Sequence, residues 1–337
     1  MKTGILLVNL GTPNSYKKKD VARYLTEFLT DKRVIDLPFI KRQFLVRSLI
    51  VPFRSKLSSQ SYQQIWNARG SPLMFHTEDL AKKLQALLGS DVIVTFAMRY
   101  QNPSLENTLN SLKESGLKEL IIVPLFPQYA SATSGSIFEK VMHSMQGWQT
   151  FPHLKFISSF YNHPLFINAF CEKARQERYE DYDHLLISFH GLPENQLKKA
   201  NPSVCLKTKN CCMAICNKNQ SCYGAQCYQT AFAIAKNLGL SSSKYTVCFQ
   251  SRLGKTPWIQ PYTSDVIKDL RAKGVKKLLV MCPAFVADCL ETIFEIEVEY
   301  KHEFISLGGS ELKLIPGLNS DDSWTLALKE IIFPSQL

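Results

Sequence analysis

The chain has 337 residues, 45% of them hydrophobic and 20% charged, with a formal net charge of +11. Those values exclude a disordered, collagenous or small disulfide-stapled chain and allow one large domain or two medium ones. The 40 basic residues are spread without a long basic run, which argues against nucleic acid as a partner, and no run of 18 apolar residues offers a membrane span. Met1-Lys2-Thr3-Gly4 leads directly into a strand, without a signal peptide. Ten cysteines in such a chain point to thiols or metal ligands in a reducing, cytoplasmic setting.

In chain order, Ile5 to Val8 reads as a strand and Asn9-Leu10-Gly11-Thr12-Pro13 as its turn. A helical pattern follows from Asp20 to Leu29. The stretch Phe39 to Leu57 mixes Phe, Leu, Ile and Val with spaced Lys and Arg. It reads either as an amphipathic core helix ended by Pro52 or as an apolar lip with basic anchors. Such a lip suits a membrane surface or a large flat apolar ligand. Val92 to Phe96 is a strand, Leu105 to Ser115 a helix, Leu120 to Val123 a strand and Phe138 to Met145 a helix. Phe156 to Ser159 reads as a short strand.

The second half repeats the first. Leu6 to Pro13 matches Leu186 to Pro193 with Gly and Pro in register; Val94 to Arg99 matches Val247 to Arg252; Leu112 to Leu120 matches Leu270 to Leu278. Three matches in one order predict two similar α/β, Rossmann-like lobes, each with a parallel, doubly wound sheet. The expected lobes are 1–160 and 161–337, joined at Asn162-His163-Pro164, with the last helix a candidate to pack back on the first lobe. A ligand is then expected in the cleft between lobes, at the strand C-termini.

The second lobe carries the unusual residues. Leu278 to Met281 reads as a buried strand, and Asp288 to Tyr300 as a helix after it. Asp288, Glu291, Glu295 and Glu299 are spaced 3, 4 and 4 apart, which stacks them on one helical face with no Lys or Arg between Val286 and Tyr300. Neighbouring like charges each cost a few tenths of a kcal/mol, so such a row calls for water, protons or metal ions. A solvated acidic face is the plain alternative. Where the first lobe has Leu10, the second has His190, just past a strand. A histidine near such carboxylates makes an acid/base pair or a metal site.

Between His190 and a helix starting near Tyr228 lie Cys205, Cys211, Cys212, Cys216, Cys222 and Cys227, six in 23 residues. That density favours bound metal over free thiols, and four thiolates suit tetrahedral zinc or a [2Fe–2S] cluster.

Ser188-Phe189-His190-Gly191-Leu192-Pro193, Phe249-Gln250-Ser251-Arg252 with Pro257-Trp258, and Ala287-Asp288-Cys289-Leu290-Glu291-Thr292 together resemble the ferrochelatase family. Asn9-Leu10-Gly11-Thr12-Pro13, Arg99-Tyr100 and Pro127-Gln128-Tyr129 fit it too. The resemblance runs from Gly4 to about Asn319. It implies the chelatase fold and insertion of ferrous iron, as substrate, into a porphyrin with release of two protons, late in haem synthesis. Protoporphyrin IX is the expected porphyrin and coproporphyrin the alternative. By resemblance, His190 is the base or metal-side ligand, Glu291 its carboxylate partner, and Asp288, Glu295 and Glu299 a proton or metal path. Leu10, Tyr100 and Trp258 are implied as walls for the flat ring, and Arg54 and Arg99 as partners of its propionates. Cysteine inserts of this kind resemble those that hold [2Fe–2S] in bacterial members. Cys205, Cys211, Cys212 and Cys222 are the expected ligands, with Cys216 and Cys227 in reserve and zinc as the alternative metal.

Two departures matter. Cys289 stands where animal members carry His, so that position should not be essential. Ala130 stands where some cluster-containing members place a cysteine, and no cysteine follows Pro316, so the animal cluster arrangement is absent. A chelatase inserting cobalt or nickel into another tetrapyrrole would share these features; metal preference with protoporphyrin separates the two. A non-catalytic haem-binding or iron–sulfur electron-transfer protein would need the cysteines but not the acidic row. Beyond porphyrin and iron, the expected partner is an anionic membrane, met peripherally on its inner face. No feature points to an oligomeric state.

Overall fold

The computed structural model describes residues 2–208, 210–254 and 256–335; positions 1 and 337, the outer limits of the expected lobes, lie outside the described residues. Four parallel strands form the first sheet: β1 (Thr3–Gly11), β2 (Val92–Tyr100), β3 (Glu119–Pro124) and β4 (His153–Phe156), in the order β2-β1-β3-β4. β1 is central because its run of Ile5, Leu6, Leu7 and Val8 has no exposed surface, as a strand covered on both faces requires. Leu6, Val8 and Ile122 pack with Leu109, Leu112, Ile137 and Val141 from the flanking helices Leu105–Glu114 and Ser136–Met145.

The second sheet repeats that plan with β5 (His184–His190), β6 (Tyr245–Gln250), β7 (Lys277–Met281) and β8 (Glu311–Leu314), all parallel, in the order β6-β5-β7-β8. The three sequence matches fall on β1 and β5, on β2 and β6, and on the approaches to β3 and β7, so the duplication is one of topology as well as sequence. The chain divides into two compact units. One holds Met1–Phe126, Ser131–Ser159 and Ser320–Leu337; the other holds Pro127–Ala130 and Phe160–Asn319.

Several elements depart from expectation. The strand expected over Phe156 to Ser159 lies three residues earlier, where His153 to Phe156 pair with Glu119 to Ile122. Pro52 does not end the lip helix. Helical structure runs through Phe39–Phe44, a wide turn Leu45–Ile50 and on through Val51–Ile65, because the missing amide of Pro52 falls in the first turn of the last segment. The helix expected near Tyr228 begins at Tyr223 and runs to Asn237. The acidic helix spans Leu290–Tyr300, with Cys289 as its N-cap and Asp288 outside it. It is a π-helix, whose i→i+5 bonds widen the turn so that residues four apart fall just short of one revolution. Among the described residues no helix is long and apolar enough to cross a membrane.

Candidate active site

His190 is the last residue of β5, half-buried, and Gln250 pairs opposite it at the end of β6. The imidazole Nδ1 lies 2.6 Å from the carbonyl of Gly191. A carbonyl only accepts, so Nδ1 carries a proton in this contact, which directs the other ring nitrogen, Nε2, away from the Gly191 carbonyl. Phe285 and Trp258 flank the ring, with centroids 6.2 and 6.4 Å away. A side chain at Gly191 would meet the Gln250 carbonyl at 2.9 Å and Trp258 at 3.1 Å, so only glycine lets these strand ends close.

Gln250 joins that strand end to the acidic helix. Its amide Nε2 donates to the Glu291 carbonyl at 2.7 Å and to Glu295 Oε2 at 3.1 Å, while its Oε1 accepts from Ser188 Oγ at 2.8 Å. Glu295 also accepts from the Ser251 amide at 2.8 Å, the Ser251 hydroxyl at 2.5 Å and Tyr300 at 3.2 Å. Ser251 reaches it from a left-handed φ of 64°, a conformation that non-glycine residues adopt at a cost. Among the described residues, four neutral donors hold this carboxylate. Further along the helix, burial and the neighbouring Glu295 push the Glu299 carboxyl above its ordinary range. Asp288 serves the fold: it accepts from Thr292 at 3.2 Å, Gly317 at 3.0 Å and Asn319 at 2.8 Å, tying the helix start to the chain after β8.

In the first lobe Leu10 is half-buried at the end of β1, and Arg54 is half-buried on the helix Val51–Ile65. Arg99 donates to Asp31 and to Ser136 Oγ, each at 2.7 Å, and its guanidinium lies 4.5 Å from the Tyr100 ring centre. Asp31, Arg42 and Arg99 help line a surface cavity of about 470 Å³. Tyr100, expected as a wall for the ring, has no exposed surface. Its hydroxyl donates to Asp31 at 2.8 Å, and burial raises its pKa, so it supports the Arg99–Asp31 pair from within the lobe. Trp258 is also buried, with its Nε1 unpartnered among the described residues.

The four cysteines favoured as ligands are brought together. Cys211 and Cys212 sulfurs stand 3.7 Å apart, because turns replace the extended chain in which adjacent residues would diverge. Cys222 is the N-cap of the helix Tyr223–Asn237; its neighbour Cys212 lowers its pKa, and the amides of Ala225 and Gly224 add to that. Burial, with Cys222 and Cys211 nearby, raises Cys205 to about 11. The Leu206 amide donates to Cys211 Sγ at 3.4 Å. Of the reserves, Cys216 is exposed and Cys227 is fully buried on the helix against Tyr223. Among the described residues no three His, Cys, Asp or Glu side chains close into a ready ligand set. The four thiols suit a metal in donor chemistry, with an amide donor on the Cys211 sulfur and helix amides at Cys222. Sequence reasoning carried Gln250 and Ser251 only as motif residues and passed over Asp31 and Ser136. For Gln250 a signal existed, since the parallel register sets it beside His190.

Two matched parallel lobes, with a histidine at a strand end of the second and a carboxylate-bearing helix behind it, have the plan of the chelatase fold. SirB from Bacillus subtilis with Fe3+ superposes at a TM-score of 0.57, with 10% identity, over 99% of this chain and 96% of that one. CbiX, the terminal enzyme of sirohaem biosynthesis in denitrifying bacteria, does so at 0.51, with 12% identity, over 99% and 100%. Residues 2–336 match the ferrochelatase family model. A ferrochelatase of Legionella pneumophila (strain Philadelphia 1) is 46% identical over 98% of this chain and 99% of the relative. One of Coxiella burnetii (strain Dugway 5J108-111) is 41% identical over 98% and 93%. The chain belongs to the ferrochelatase family and inserts ferrous iron into a porphyrin in haem synthesis.

Proposed function

We propose that His190 and Glu291 carry the insertion in this chain, with protoporphyrin IX as the porphyrin. The observation behind the assignment is the Nδ1 contact to the Gly191 carbonyl, which leaves Nε2 as the basic atom. Each turnover exchanges two pyrrole N–H protons for one Fe²⁺. Nε2 takes one pyrrole proton, and the Glu291 carboxylate takes the other. Glu295 and Glu299 continue the path, and the raised affinity of Glu299 for its proton suits an acceptor there. Because the donors on Glu295 among the described residues are all neutral, a proton or a ferrous ion meets it without displacing an ion pair with any of them. Leu10 and Trp258 supply apolar wall, and Arg54 and Arg99 pair with the porphyrin carboxylates.

Cys205, Cys211, Cys212 and Cys222 would hold a [2Fe–2S] cluster. That group would supply order to a turn-rich segment, since insertion itself moves no electrons. The lip contributes a membrane contact. Phe39, Ile40, Phe44, Leu49, Phe53 and Leu57 are all exposed, with Lys41, Arg47 and Lys56 exposed among them. An apolar face set with cations suits an anionic lipid surface, where porphyrin and haem partition.

The test is an anaerobic assay of Fe²⁺ insertion with protoporphyrin and coproporphyrin side by side. Faster turnover of protoporphyrin is expected; a clear preference for coproporphyrin would overturn the substrate assignment and leave the roles of His190 and Glu291 standing.

A further inference from the structure

We infer that Tyr223 is a positioning residue through which the cysteine segment holds the catalytic histidine in place. The inference rests on the proposed roles of His190 and of Cys222.

Tyr223 is the first residue of its helix and follows Cys222 directly. It is buried, and its hydroxyl donates to the backbone carbonyl of His190 at 2.7 Å. On the other side of the same peptide, the Gly191 amide donates to the Gln250 carbonyl at 2.8 Å. The peptide between residues 190 and 191 is therefore gripped at both of its polar groups. The imidazole rests on the next carbonyl, that of Gly191, so any rotation of this peptide carries the ring with it.

The grip has its other end at the sulfurs. Cys212 Sγ packs so closely on the start of the helix that follows Cys222 that a side chain at Gly224 would come within 2.8 Å of it. A shift of these sulfurs therefore shifts residues 222–224, and the phenol ring between them has no internal freedom to absorb the movement along its own axis. One rigid side chain spans the distance from a proposed metal ligand to the catalytic strand end. This gives the cysteine segment a route to the chemistry without touching substrate.

Tyr223→Phe keeps the ring and removes only the hydroxyl. Losing one buried neutral hydrogen bond at a positioning group should lower turnover about fivefold, with the porphyrin KM within about twofold. The decisive readout is the ¹⁵N spectrum of the His190 imidazole, which should shift or broaden in Tyr223→Phe. Cys212→Ser should disturb the same signals in the otherwise native protein and add nothing in the Tyr223→Phe background. Native His190 signals in Tyr223→Phe, or a full additional effect of Cys212→Ser upon it, would refute the tie. Should Tyr223→Phe fail to fold, exchange of the Gly191 amide in the native chain decides. Stripping metal with a chelator should speed it, and an unchanged rate counts against the tie. Protein purified without metal on these cysteines would sink the reading of the segment alone; the Tyr223→Phe spectrum would still support or refute the hold on His190.

Discussion

At the scale of single residues, the acidic helix separates carboxylates that look alike in the sequence. Asp288 is spent on Gly317, Asn319 and Thr292, whereas Glu295 sits among neutral donors at the strand ends. The 3-4-4 spacing made the four one row; the cap at Cys289 took Asp288 out of the helix, and no periodicity announces a cap formed by a thiol. His190→Ala should abolish iron insertion while porphyrin binding, followed by fluorescence quenching, stays within a few-fold of native. Substantial turnover by that variant would remove His190 from the chemistry. The Leu10 and His190 correspondence was legible because both follow matched strands. The burial of Tyr100 was not, because its partner Asp31 lies 69 residues away.

At the scale of elements, strands were easier to read than helices. Buried parallel strands are continuous apolar runs, and β1, β3, β5 and β7 stood out for that reason. The helix Pro72–Leu88 escaped notice because its core positions Leu73, Phe75, Leu80, Ala81 and Leu84 are interrupted by Thr77, which is buried through hydrogen bonds to Asn9 and Leu73. The lip helix carries a prediction of its own. The protein should sediment with anionic vesicles at low salt and release as salt rises, since the cations on the lip are exposed and screened. Phe53→Ser should weaken that binding and leave insertion into detergent-solubilised porphyrin unchanged; no binding at low salt would discard the membrane contact. The cysteine segment makes a separate one. Anaerobically purified protein should be red-brown, and Cys→Ser changes at 205, 211, 212 and 222 should bleach it while those at 216 and 227 do not. Colourless protein with stoichiometric zinc would replace the cluster with the other metal.

At the scale of the whole molecule, pH acts through a group far along the strand from the site. His184, at the start of β5, is buried and bonded to Thr246 at 2.8 Å; burial, with Lys244 and Lys273 near, pushes its pKa from 6.5 down to about 4. A depressed folded pKa means that the unfolded chain takes the proton first. The stability His184 supports is therefore complete above about pH 6.5 and is lost as pH falls toward 4. Denaturant midpoints measured from pH 7 to pH 4 should fall less steeply in His184→Gln than in the native chain; parallel slopes would show that another group governs the loss.

The discontinuous make-up of the first lobe has a consequence for how the chain is born. Its last helix, Asp322–Ile332, buries Trp324, Ala327, Leu328 and Ile332 completely and packs against Pro72–Leu88, with Asp322 bonded to Lys83 at 2.7 Å. On a ribosome this piece emerges roughly 160 residues after the rest of that lobe, by which time all of Phe160–Asn319 has been made. The lobe synthesised first is thus the one that waits, its apolar seam open until the second lobe has been made. Ending the chain at Asn319 should accordingly loosen the amino-terminal half, seen as rapid amide exchange in Leu80 and Leu84, while the strands around His190 remain protected.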